Sequence, residues 1–137
     1  MDMKQAKLRV IEGEYYQNGQ ELWVHPYTSN SIKMWVSDDI KKGNYRIGVI
    51  VDGWFNVCYV GRATDQTLQS RMLQHQEYED DIYYFDFNAA DTDKQAIEKE
   101  CIDFHTFGGD DWLDNEYHPA LPEGMECPWE ECNHKGS

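Results

Sequence analysis

Cys127 and Cys132 form a C-x4-C pair, and His134 follows two residues later. Two thiolates and an imidazole are zinc ligands, and a structural Zn2+ site closes with four. The spacing is at the wide end of the usual range, and His118 is the one further candidate on offer. Zn2+ in the tail is therefore one reading, and a flexible tail of reduced thiols is the plainer one. Cys58, in an apolar strand-like run, and Cys101, in a helical pattern, read as reduced core thiols rather than a disulfide framework. A second chemistry concerns anions. Residues 1–76 carry eight acids and nine bases, so Arg46, Arg62, Arg71, Lys41 and Lys42 could build a face for phosphate. Residues 77–116 carry fourteen acids against two bases and hold most of the chain's net charge of −14. That block reads first as a solvated surface.

The elements that must position these groups follow from periodicity and turn chemistry. Leu8-Arg9-Val10-Ile11, Tyr15-Tyr16 and Leu22-Trp23-Val24 are strand-like, with Asn18-Gly19 as a hairpin signal. Residues 25–30 read as a loop, Ile32-Lys33-Met34-Trp35-Val36 as a strand, and 37–39 as a short helical turn. Residues 45–51 and 54–60 flank Asp52-Gly53 as a second hairpin. A three-residue loop, Val51-Asp52-Gly53, would set Ile50 against Trp54 and Tyr45 directly across from Tyr59, so the two phenols would share a face. A two-residue loop would put them on opposite faces. Thr64 or Asp65 would cap a helix carrying Leu68, Met72 and His75. Ile82-Tyr83-Tyr84-Phe85-Asp86-Phe87 reads as a strand, and Thr92 or Asp93 would cap a last helix that ends at Gly108-Gly109.

Within this frame, Tyr59-Val60-Gly61-Arg62 followed by Leu68-Gln69-Ser70-Arg71-Met72-Leu73-Gln74-His75 resembles the second half of the GIY-YIG nuclease signature. Ala96-Ile97-Glu98-Lys99-Glu100-Cys101-Ile102 resembles that family's glutamate helix, and Asn115 its late asparagine. The likeness spans roughly residues 43–120 and is specific through the order of its elements. The first motif diverges. Gly43-Asn44-Tyr45 keeps the glycine and the tyrosine and is preferred over Gly48-Val49-Ile50 on the hairpin geometry. The resemblance implies metal-dependent hydrolysis of phosphodiester bonds in DNA, with Mg2+ or Mn2+ as cofactor. It makes Glu98 the metal ligand, preferred over Glu100, and Tyr45 the group that activates water. Tyr59 would orient water or phosphate, Arg71 would hold the scissile phosphate, and Asn115 would support the site. Arg46, Arg62 and His75 become substrate contacts. A phenol of pKa near 10 is a poor base unless a cation lowers that value.

These readings define an α+β domain: a small central antiparallel sheet flanked by helices, GIY-YIG-like, with an extra N-terminal β-hairpin. The organisation is a single domain over 1–137, with an extension at 1–36, a core at 37–122 and a Cys-containing tail at 123–137. No window approaches the roughly 18 apolar residues of a membrane span, and the first residues lack a signal-peptide pattern, so a cytoplasmic setting is expected. Five Trp, nine Tyr and five Phe argue against disorder. The alternative function is a catalytically impaired binding module on the same fold, with residues 77–116 engaging a basic protein partner or mimicking nucleic acid.

Overall fold

The computed structural model describes residues 7–11, 14–17, 20–51, 54–80 and 82–132. Its strands are β1 (Lys7–Ile11), β2 (Glu14–Gln17), β3 (Gln20–Trp23), β4 (His25–Pro26), β5 (Gly43–Val51), β6 (Trp54–Ala63) and β7 (Tyr83–Ala89). The helices are α1 (Ser29–Trp35), α2 (Leu68–Leu73) and α3 (Asp93–Thr106). The α+β expectation holds: the strands form one antiparallel sheet in the order β3-β2-β1-β6-β5-β7-β4. The N-terminal extension belongs to that sheet, because β1 pairs with β6 through Lys7↔Asn56 and Arg9↔Trp54. At the opposite edge His25 and Pro26 pair with Phe85 and Tyr84, where a loop is expected from sequence.

β5 is the central strand of the core, and its side-chain alternation separates two buried layers. Tyr45 and Ile47 face α1 and α2, packed with Tyr27, Ile32, Val36, Leu68, Met72 and Phe85. On the other face Phe55 and Val60 pack with Phe104 and Phe107 at the C-terminal end of α3. α1 corrects the strand expected at 32–36. Thr28 caps it by accepting from Ser31 N at 3.1 Å, and Val36 N donates to Ile32 O at 2.9 Å. Ile32 and Val36 are buried while Met34 and Trp35 are exposed, an i,i+4 burial pattern that a helix supplies and a strand does not.

The β5–β6 register differs from the expected one and still brings the tyrosines to one face. Val51 faces Trp54 and Ile50 faces Phe55, so the connection is two residues long; Asp52-Gly53 itself lies outside the described residues. That register alone would put Tyr45 and Tyr59 on opposite faces. A β-bulge next to Ile47 and Gly48 inserts one extra residue in β6, Cys58. Past it Ile47 faces Tyr59 and Tyr45 faces Gly61, which restores the shared face.

α2 begins later than expected, capped by Thr67 rather than by Thr64 or Asp65. Thr92 caps α3, accepting from Gln95 N at 3.1 Å. The chain then turns at Gly108, whose φ of 97° favours glycine.

Candidate functional site

Tyr45 lies fully buried against β6, its ring directly over Gly61, where any Cβ would overlap the phenol. Gly61 is thus fixed by close approach. The Tyr45 and Tyr59 rings stack with centroids 6.3 Å apart, and His75, just beyond α2, joins them with its centroid 4.8 Å from that of Tyr59. The Tyr45 hydroxyl and His75 Nε2 are 2.6 Å apart, and His75 Nδ1 is 3.3 Å from Glu77 Oε1. Burial lowers the pKa of His75, so the ring is neutral at pH 7. An ionised Glu77 then accepts from Nδ1–H, and Nε2 accepts from the Tyr45 O–H. Burial holds the Tyr45 phenol well above 10. Tyr59 is half-buried and also raised by burial, but the Arg71 guanidinium acts in the opposite direction. The expected shared face of the phenols is present, though Tyr45 stands across from Gly61 rather than Tyr59, and Tyr45, expected to activate water, is fully buried.

Next to these rings an open cleft of about 410 Å3 runs along the segment that leaves β6. Arg62, Thr64, Asp65 and Gln66 form its floor, Arg71 of α2 and Glu100 of α3 face it, and Ala63, Pro119 and Ala120 complete the wall. Arg62 Nη1 donates to Glu100 Oε1 at 2.9 Å, and Arg71 Nη1 donates to Gln74 Oε1 at 3.0 Å. Burial pushes the Glu100 carboxyl up to about 7; Arg62 and then Arg71 pull it down, and Asp103 pushes it further up.

The helix brings Glu100, rather than the expected Glu98, to the cleft. Ala96, Ile97, Cys101 and Phe104 are buried on α3, and Glu100 falls on their i,i+3,i+4 stripe while Glu98 falls off it. Glu98 is not among the residues lining the cleft. Arg46 also needs correcting. It stands opposite Asp86 across β5 and β7, is buried, and forms a two-armed ion pair with that carboxylate, Nε to Oδ1 being 2.9 Å. Strand alternation points it to the α3 side, away from Tyr45, so it is no substrate contact. His75 is likewise buried within the phenol cluster rather than presented to substrate.

Asn115 has a clear structural task. Its Nδ2 donates to Val60 O at 2.8 Å and its Oδ1 accepts from Val60 N at 3.0 Å. The amide thus pairs with the β6 backbone between Tyr59 and Gly61, beyond the reach of β1. Asp114 adds a backbone bond to Cys58 O and accepts from the Tyr78 hydroxyl at 2.7 Å. Asn115→Ala leaves both Val60 groups unpaired and is expected to cost about 1–3 kcal/mol, read as a lowered midpoint in urea at unchanged slope.

In the tail, Cys127 and Cys132 come close to His118 and to His105 of α3, all four ligand atoms lying within 4.8 Å of one another. His134 lies outside the described residues. The His105 contribution is absent from the sequence reading, because a ligand 22 residues before Cys127 gives no spacing signal. No helix among the described residues is long and apolar enough to cross a membrane. No family model, curated protein or solved structure matches this chain.

Proposed function

We propose that the chain is a metal-dependent endonuclease of the GIY-YIG type, hydrolysing phosphodiester bonds in DNA. The supporting observation is the convergence of Arg71 and Glu100 on one cleft, with Arg71 near enough to the Tyr59, Tyr45 and His75 cluster to act on the ionisation of all three. These groups come from β5, β6, α2 and its C-terminal flank, and α3. The acidic block adds only Glu100 to the lining; Arg62 is paired with it, and Arg71 presents its charge to phosphate.

Mg2+ or Mn2+ suits the donors on offer. Glu100 and Asp65 supply carboxylates, Thr64 supplies a hydroxyl, and all are hard oxygen ligands. The upward shift of Glu100 marks a carboxylate whose charge its surroundings do not fully compensate. A bound divalent cation polarises a phosphoryl oxygen and favours ionisation of nearby oxygen acids. Arg71 presents its fork of donors to the phosphate. Tyr59 receives the proton of the attacking water, and Tyr45, His75 and Glu77 pass it toward solvent. Each acceptor in that chain already contacts the next.

Nicking of supercoiled plasmid at low salt with Mg2+ or Mn2+ tests the reading. Wild type is expected to cut. Arg71→Ala should lose about 10²–10³ in rate, as for a lost charge-stabilising donor, and Tyr59→Phe about 10²–10⁴. Wild type that neither cuts nor binds DNA or RNA would overturn it and redirect attention to residues 77–116 as a surface for a basic protein.

A further inference from the structure

We propose that His105, His118, Cys127 and Cys132 form a structural zinc site, separate from the cleft, that fastens the C-terminal segment to α3. In a tetrahedral site with Zn–S near 2.3 Å and Zn–N near 2.0–2.1 Å, neighbouring ligand atoms lie about 3.3–3.8 Å apart. Here all four fall within 4.8 Å of one another, and Cys132 Sγ is already 3.5 Å from His118 Nε2. Small side-chain rotations bring the set to bonding geometry.

The imidazoles are arranged as ligands. His118 Nδ1 donates to Pro119 O at 2.9 Å, which fixes the tautomer and leaves the Nε2 lone pair directed at the cluster. A backbone carbonyl holding the far nitrogen in this way is the usual outer support of a metal-bound histidine. His105 Nε2 is buried and has no hydrogen-bond partner among the described residues. An orphaned buried ring nitrogen is costly unless something binds it, and a metal ion does so. Trp129 stacks on His105 with ring centroids 5.3 Å apart, and Phe104 packs edge-on against His118 at 5.5 Å, so both rings are held in place.

Two thiolates and two imidazoles select zinc over the hard cations suited to the cleft. The site also answers a structural need. After α3 the described chain forms no further α-helix or extended β-strand, only a short 3-10 turn at Gly109–Asp111 and a single bridge residue at Glu126. This irregular segment nevertheless holds Asn115 against Val60 and places Pro119 in the cleft wall. A metal bound at His118, Cys127 and Cys132 and anchored through His105 would cross-link this segment to α3 in addition to its hydrogen bonds.

The test is metal content and cobalt spectroscopy of the full chain. Protein made in zinc-supplemented medium should hold about one zinc per chain after extensive dialysis. Replacement by Co2+ should give the intense visible d–d bands of a tetrahedral ion together with thiolate-to-cobalt charge transfer in the near ultraviolet. Cys127→Ser with Cys132→Ser should abolish the spectrum, and His105→Ala or His118→Ala should weaken and distort it. His134→Ala should leave both stoichiometry and spectrum unchanged. Wild type that retains no zinc and gives no tetrahedral cobalt spectrum overturns the proposal. So does release of the metal by His134→Ala while His105→Ala retains it. Because the readout is the metal itself on wild-type protein, it stands whether or not the chain cuts DNA.

Discussion

Glu100→Gln should reduce metal-dependent nicking by about 10³-fold or more, while Glu98→Gln leaves it within about twofold. Glutamine keeps the volume and one acceptor oxygen but removes the charge that a cation needs, so the contrast isolates ligation from packing. Several kcal/mol of transition-state stabilisation depend on a bound catalytic cation, and each 1.36 kcal/mol is tenfold in rate. The pH dependence has a definite sign. The groups acting on Glu100 are Arg62 and Arg71, which favour its ionised form, and Asp103, which opposes it; burial dominates and leaves the carboxyl at about 7. Below that value the proton competes with the cation, so the apparent Mn2+ affinity at the cleft should weaken about tenfold per unit of falling pH. Isothermal titration with Mn2+ between pH 5.5 and 8 checks this, and in Glu100→Gln the slope should vanish. In the metal-free chain the same raised value works on stability: the contribution is fully present below the ordinary carboxyl range and is lost as pH rises through about 7.

The two glutamates also show how much of the site could be read in advance. A stripe defined by Ala96, Ile97, Cys101 and Phe104 contains Glu100, so helical periodicity selects the residue that motif spacing misses. Thr92 and Gly108 were legible as helix punctuation, because capping is a local hydrogen-bond problem with local residue signatures. The strand reading of 32–36 failed because alternation over five residues does not separate a strand from one helical turn; the arbiter was Thr28, whose side chain reaches Ser31. The shared face of Tyr45 and Tyr59 was expected for a register that does not occur. It arises from a two-residue connection compensated by the bulge at Cys58, and no single residue type announces such a bulge. The His/Cys cluster divides in the same way: Cys127 and Cys132 are visible as a pair, whereas His105 joins them only through the path of the chain.

The buried pair Arg46–Asp86 carries the largest stability prediction. Arg46→Ala or Asp86→Ala should each cost about 3–5 kcal/mol, since each strands a charge in the interior. The two residues face each other across β5 and β7, side chains only 5% and 8% exposed, with the guanidinium 5.7 Å from the Phe107 ring centroid. Asp103, also buried and held by Lys99 at 3.3 Å, adds a second favourable charge to Arg46. Loss of Asp86 therefore leaves Arg46 with partial compensation, and loss of Arg46 leaves two interior carboxylates facing each other. Arg46→Ala should accordingly be the worse of the two. The double variant Arg46→Met/Asp86→Leu should recover most of the loss, because it removes both desolvation costs at similar volume. Urea denaturation of wild type, the two alanine variants and the double Arg46→Ala/Asp86→Ala closes the cycle that gives the coupling energy. A double-alanine variant as unstable as the sum of the singles would mean that the pair is energetically independent, contrary to its geometry. Arg46 lies on the α3 face and contributes nothing to the cleft lining. At temperatures where it remains folded, the Arg46→Met/Asp86→Leu variant should therefore keep the nicking rate of wild type within about threefold, which separates the arginine that holds the sheet together from those that face the cleft.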